Sequence, residues 1–184
     1  MREQILATAT ELFVQRGYEG VAMREIADAC GITKPALYYH FAGKSAVLNA
    51  ICIAYLDEVA AVVADSADHG SGEERLRWLV RGLFALPPWR RAIMRLAMHD
   101  VGQLDADDRG AFGRAYLERF IQPINDIFAA GTKAGEFVDK DPALLTGLLL
   151  GLLYPFFAPP RPDAGPDPVD DLLDVFCGGV LRRT

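Results

Sequence analysis

The residues of this chain whose types and spacing suit a chemistry lie together in the run Thr33-Lys34-Pro35-Ala36-Leu37-Tyr38-Tyr39-His40, with Lys44 four residues further on. Laid on a helix at about 100° per residue, Leu37 and Phe41 point the same way and form an anchor. Pro35 and Tyr39 then lie opposite it, and Ala36 and Tyr38 take the flanks. An exposed proline beside two adjacent tyrosines is a poor choice for a merely solvated face. It suits a surface that meets phosphates and base edges through phenolic hydroxyls and apolar contact with thymine methyls. By spacing alone, a small three-helix core with scattered surface aromatics fits as well.

Two short elements must hold that surface in place. Met23, Ile26, Ala27 and Cys30 recur at i, i+3, i+4 and i+7, one buried helical face. Gly31 ends that helix as a C′ glycine, and Ile32 turns back toward the core. Thr33 then offers a side-chain oxygen to the free N–H groups of a second helix. Lys34-Pro35 opens it, where the missing proline N–H costs no hydrogen bond. Helix, glycine-containing turn, helix is the helix-turn-helix arrangement, whose second helix enters the DNA major groove.

The stretch GYEGVAMREIADACGITKPALYYHFAGKSAVL resembles the DNA-binding domain of the TetR family of transcriptional regulators. The run G-I-T-K-P-A-L-Y-Y-H-F, Lys44, Gly17-Tyr18 and Ile26-Ala27 carry the resemblance. It implies DNA contacts at Thr33, Lys34, Pro35, Tyr38, Tyr39, His40 and Lys44, mostly to phosphates; Ala36 and Arg24 complete the expected contact set. Two features depart from the family pattern. Val21-Ala22 stands where a hydroxyl residue usually caps the first motif helix, a loss that typically costs ~1 kcal/mol. The helical pattern begins almost at once and only Arg2 is basic there, so no minor-groove arm is expected.

The chain has 184 residues and a formal net charge of −6. Residues 1–48 hold five Lys/Arg and five Asp/Glu, so the acidic excess belongs to the remainder. DNA binding therefore depends on placed contacts more than on a basic field. Cys30, Cys52 and Cys177 are odd in number and widely spaced, consistent with buried small hydrophobes in a reducing, cytoplasmic setting. MREQILATATELF is amphipathic and lacks the apolar core of an export signal.

In order, the pattern predicts a first helix over 2–16 with Ile5, Leu6, Ala9, Leu12 and Phe13 on one face. A long helix runs from Lys44 to Ala64 with Val47, Leu48, Ile51, Tyr55, Val59, Val62 and Val63 as ridges. Ser71 with Glu74 forms a capping box opening a helix through Leu86. Trp89–Val101 is expected to turn Ile93, Leu96, Ala97 and Val101 inward and Arg90, Arg91 and Arg95 outward. Asp105 caps the next helix, and the Asp105, Asp107, Asp108 cluster reads as acidic residues at a helix start rather than a metal site. Pro123 is expected to kink that helix without ending it. Asp141-Pro142 opens the apolar run ALLTGLLLGLLYPFFA. Pro155 leaves it about 13 helical residues or ~20 Å, short of a ~30 Å hydrocarbon core, and no second span is expected. Leucine on every side predicts burial on all sides. After a proline-rich loop, the last helix places Val169, Leu173, Phe176 and Val180 on one stripe, with Arg182 and Arg183 at its end.

The expected fold is all-α: an N-terminal three-helix helix-turn-helix DNA-binding domain over residues 1–46, then a helical effector-binding and dimerisation domain over 47–184. The resemblance implies pairing of the last two helices across a two-fold axis, and the expected interface is Leu144, Gly147, Leu148, Gly151, Leu152, Leu173, Phe176 and Val180. By residue type, Trp78, Phe84, Met94, Met98, His99, Phe112, Tyr116 and Phe120 are candidates for an effector pocket, although Met and aromatic residues also fill ordinary cores. The function implied is a ligand-responsive transcriptional regulator, a repressor binding a palindromic double-stranded operator as a homodimer and released by a small apolar or aromatic effector. Release is expected through tilting of the Lys44–Ala64 helix. Two other readings stay open: a helical lipid or small-molecule carrier or enzyme, and an effector-independent DNA-binding protein. No phosphate loop, nucleophile motif or metal-ligand spacing occurs, so no catalytic residues, metal or cofactor are expected, and no membrane.

Overall fold

The computed structural model describes residues 1–157 and 168–181; Arg182, Arg183 and nearly all of the proline-rich loop lie outside them. Ten α-helices follow in order: α1 Arg2–Arg16, α2 Met23–Ala29, α3 Lys34–His40, α4 Lys44–Asp65, α5 Gly72–Ala85, α6 Pro88–Asp100, α7 Ala106–Tyr116, α8 Gln122–Ala134, α9 Pro142–Leu153 and α10 Val169–Val180. The fold is all-α, as expected. Contacts gather the chain into two units, Met1–Tyr55 with Ala92–Ala115, and Leu56–Arg91 with Tyr116–Thr184.

In the first unit, Ile5, Ala9 and Phe13 form the fully buried stripe of α1, with Leu6 and Leu12 half-buried on its flanks. They meet Val21, Ile26 and Ala27 from the α2 region, Leu37 and Phe41 from α3 and its end, and Val47, Leu48 and Ile51 from α4. Gly31 takes φ 67°, the left-handed conformation that favours glycine. Its turn closes with the Ile32 N–H on the Ala27 carbonyl at 3.0 Å, a Schellman arrangement.

The second unit opens as its capping box dictates. The Glu74 N–H donates to Ser71 Oγ, and the Ser71 N–H donates to Glu74 Oε2. Phe128, Phe137 and Phe176 form an aromatic cluster, with ring centroids 5.3 and 6.0 Å from Phe128. Asp141 Oδ1 accepts from the Ala143 N–H at 2.9 Å and caps α9. The thiols of Cys52 and Cys177 are buried, which pushes them up to about 12 and about 11, so neither is a reactive thiolate.

Three expectations need correction, and one holds in a particular form. Arg91 is 7% exposed, not outward, because its guanidinium lies 5.3 Å over the Phe84 ring. Pro123 does not end its helix, as expected: a π turn, Leu117–Ile121, carries α7 directly into α8. Lys44–Asp68 is long and apolar enough by length and composition to cross a membrane, yet Val47, Leu48, Ile51, Cys52, Tyr55, Leu56 and Val59 are all buried against the rest of the chain. And α9 is not covered all round: Leu145, Thr146, Leu149 and Leu153 are buried, while Leu144 is 52% and Leu148 55% exposed.

Gly131 of α8 faces the Phe137 ring so closely that an added Cβ would overlap it. Gly131→Ala should therefore lower stability by about 1–3 kcal/mol through overpacking, as measured by urea unfolding.

Candidate nucleic-acid interface

The seven-residue α3 buries one of its own side chains, Leu37. Thr33 Oγ1 accepts from the Ala36 N–H at 3.3 Å, and Pro35 sits in the first turn, so sequence alone sets where the helix begins. Phe41, 5% exposed, closes the anchor. Everything else faces outward: Thr33, Lys34, Pro35 and Ala36 are exposed and His40 is half-buried. Tyr39 is 87% and Tyr38 43% exposed. Lys34 Nζ stands 5.6 Å above the Tyr38 ring, and the Tyr39 and His40 rings meet edge-on at 5.4 Å. All seven expected contact residues on this helix and its cap are at least partly exposed.

Arg24 and Lys44 adjoin it. With Lys34, Tyr38 and the backbone of 19–25 they line a groove of about 520 Å³. Arg24 is exposed and pairs loosely with Asp28 at 3.6 Å, a contact of little energetic weight. Lys44 is held differently. Its ammonium donates to the Tyr18 carbonyl at 2.9 Å and sits 4.1 Å over the Tyr18 ring. Lys44 therefore braces the start of α4 against the α1–α2 connection while lining the groove.

The hydroxyl cap missing before α2 is replaced in part. The Ala22 N–H donates to Glu25 Oε2 at 2.8 Å, and Arg16 pairs with Glu25 Oε1 at 2.7 Å. The Ala22 N–H, then Arg16, holds the Glu25 carboxyl below the usual carboxylate range. Arg16, Tyr18 and Glu25 were absent from the expected set. A Glu three residues after a cap position was the available signal for Glu25; the carbonyl that receives Lys44 leaves none.

The effector candidates are divided between the two units. Trp78, Phe84, Tyr116 and Phe120 belong to the second unit, and Met94, Met98, His99 and Phe112 to the first. Phe84, Met94, Phe112 and Phe120 are buried, whereas Trp78 is 44% and Met98 49% exposed. Trp78 stays at the surface because its indole N–H donates to Asp65 Oδ2 at 2.7 Å and its ring stacks on His69. His99 alone of the eight lines a cavity of about 370 Å³ beside Phe13, Gly17, Leu96 and Asp100.

Among the expected interface residues, Leu144, Gly147, Leu148 and Gly151 are exposed and Leu152 is half-buried. Leu173, Phe176 and Val180 are corrected. They are at most 7% exposed and fill their own unit's core, Phe176 against Phe128. The outward side of α10 carries Val175, Gly178 and Gly179 instead.

Tyr39→Ala should leave the melting temperature unchanged and weaken DNA binding. Lys44→Ala should cost both stability and DNA affinity on every sequence, lowering the salt slope by about one unit. Titrations at several salt concentrations, beside thermal melts, separate the two. A depressed carboxyl contributes stability that is complete above its ordinary pKa and is lost as pH falls through the lowered value. Between about pH 5 and pH 3, wild-type protein should therefore lose more stability than Glu25→Gln, read from urea midpoints.

The profile of the bacterial regulatory proteins of the tetR family matches residues 5–51. The chain is 27% identical, over 74% of its own length and 67% of the relative's, to the HTH-type transcriptional repressor KstR2 of Rhodococcus jostii. Matches to several other curated relatives span 38% or less of their lengths. The structure of AibR in complex with isovaleryl coenzyme A and operator DNA is 26% identical, covering 97% of this chain and 96% of that one, with a TM-score of 0.83. A regulator of the TetR/AcrR family from Thermobifida fusca is 30% identical over 99% of this chain and 98% of that one, with a TM-score of 0.72. A match over the helix-turn-helix and a likeness over nearly the full length agree, and the chain belongs to the tetR family of bacterial regulatory proteins.

Proposed function

We propose that this protein is a ligand-responsive transcriptional regulator, acting as a repressor that binds a palindromic operator as a homodimer in the cytoplasm. The observation that carries this reading is the outward face of α3. A helix that buries only Leu37 and exposes Lys34, Pro35, Ala36, Tyr38 and Tyr39 is built to touch something other than its own chain. Phosphates fit the cations and hydroxyls, and base edges fit the apolar and phenolic groups. Residues 1–46 read the DNA in this proposal, and 47–184 take the effector and pair the subunits.

Pairing is supported by the uncovered sides of α9 and α10. Leu144, Gly147, Leu148 and Gly151 on one helix, and Val175, Gly178 and Gly179 on the other, leave an apolar surface with little side-chain bulk. Glycines four apart let a partner helix approach closely. Two recognition helices related by a two-fold axis then meet half-sites about 34 Å apart. AibR was solved with an acyl coenzyme A and operator DNA, which supports an effector with an apolar moiety here. Such a molecule shifts the protein away from DNA only if it binds the DNA-incompetent state more tightly, and DNA must then weaken effector binding by the same factor.

Selection of duplexes from a random library by the wild-type protein tests the reading. The expected product is a palindrome whose affinity falls steeply with salt. An arginine at Gly151 should convert the dimer to monomer or aggregate in the ultracentrifuge and abolish tight binding, because an uncompensated buried charge is strongly destabilising. Failure to enrich any sequence would overturn the DNA reading. A Gly151→Arg dimer of unchanged stability would overturn the interface.

A further inference from the structure

The start of α4 is tied to the start of α7 by a network within the first unit. Ser45 Oγ donates to Asp108 Oδ2 at 2.7 Å, and Asn49 Nδ2 donates to Asp108 Oδ1 at 2.9 Å. The Asp105 N–H donates to Ser45 Oγ at 2.9 Å, so the serine relays α7's cap position to the same carboxylate. Ser45 is 7% exposed. Its neighbour in sequence is Lys44, braced on the Tyr18 carbonyl, and α3 ends only a few residues before. Burial, then the charges of Asp105, Glu19, Asp100 and Asp108, push the Tyr18 phenol up.

We infer that Asp108 is a positioning residue for DNA recognition, holding the first two turns of α4, and with them the helix-turn-helix, at one angle to the α6–α7 segment. The inference rests on the proposal that α3 reads DNA. Two donors one helical turn apart, each on a different oxygen of one carboxylate, fix both the rotation of α4 about its axis and its tilt. A single contact would fix neither. Phe112 lies on the helix at the other end of this tie, so displacement of α7 strains the bonds that orient α4.

Asn49 Oδ1 is buried without a hydrogen-bond partner, which makes the polarity of the tie reversible. In Asp108→Asn, the Asn49 amide can turn its idle oxygen toward the new amide donor, and Ser45 still finds an acceptor. Asn49→Asp sets two carboxylates against each other and removes a donor. Asn49→Asp with Asp108→Asn restores one donor and one acceptor, reversed.

The test uses the full chain and a duplex selected by the wild-type protein, together with duplexes whose half-site separation is changed by one base pair. Asn49→Asp should fold, lose affinity for the selected duplex about tenfold, and lose its preference for the selected spacing. The reversed pair should return to within about threefold of wild type with the spacing preference restored. The reversed pair, whose net charge equals that of wild type, should also match wild type on random duplex. A purely structural role would lower the melting temperature and leave the spacing preference intact. If Asn49→Asp fails to fold, Ser45→Ala carries the test, since it removes one donor without adding charge and should relax the same spacing preference. Wild-type affinity and spacing preference in the broken variants, or a folded reversed pair that regains neither, would overturn the positioning role. Failure of wild-type protein to select any duplex would instead sink the DNA reading, and this inference with it.

Discussion

The proposed interface depends on how little of α3 is buried. Seven residues are too few to hold a helix in water, since nucleation is costly and only a turn or two of hydrogen bonds follows. What holds it is Leu37, fully buried, with Phe41 just beyond its end. Full burial of such a side chain contributes about 1.5–3 kcal/mol, and the Thr33 cap adds roughly 1 kcal/mol. One anchor point at each end of a two-turn helix leaves the remaining positions without a structural duty. That is why a proline, two tyrosines and a lysine can all be spent on the outside.

The same economy explains what was legible. Thr33, Pro35, Gly31 and the Leu37–Phe41 pair act within a few residues of themselves, through caps, fixed φ and helical spacing. Their placement follows from local chemistry, and the structure agrees at each of them. The capping box at Ser71 and the cap at Asp141 were readable for the same reason. The bond from Lys44 to the carbonyl of Tyr18 spans 26 residues, and nothing in local spacing announces it. Asp108 is similar: an aspartate in a first helical turn looks like dipole compensation until Ser45 and Asn49 arrive from about sixty residues away.

Periodicity fails in a more specific way at α9 and α10. It shows which residues are apolar but not which side the chain itself will cover. On α10 the stripe through Leu173, Phe176 and Val180 is the regular one, and it is regular because it packs on its own unit. The side left open carries Val175, Gly178 and Gly179, and Val175 is 73% exposed. A face for a partner need not be the most hydrophobic face; small residues that permit close approach serve it as well. Trp78 shows the converse. A large aromatic suggested an interior cavity, but an indole N–H requires a polar partner, and Asp65 supplies one at the surface.

Charge placement then bears on selectivity. Residues 1–48 carry no net charge, and the chain as a whole carries −6. Glu19, Asp100, Asp105 and Asp108 all lie close enough to act on Tyr18, the residue whose carbonyl and ring hold Lys44. A cation braced among carboxylates attracts a distant phosphate weakly, because their fields cancel beyond a Debye length of about 8 Å at physiological salt. At contact distance the geometry of individual groups decides instead. On the proposed function, random duplex gains only the long-range part and is expected to be held poorly. In the proposed dimer, a duplex that seats both α3 faces gains the short-range contacts in full. On the proposed function an acidic chain that binds DNA is not a contradiction: the negative background lowers the affinity of every site alike, and the placed contacts alone separate the right site from the wrong ones.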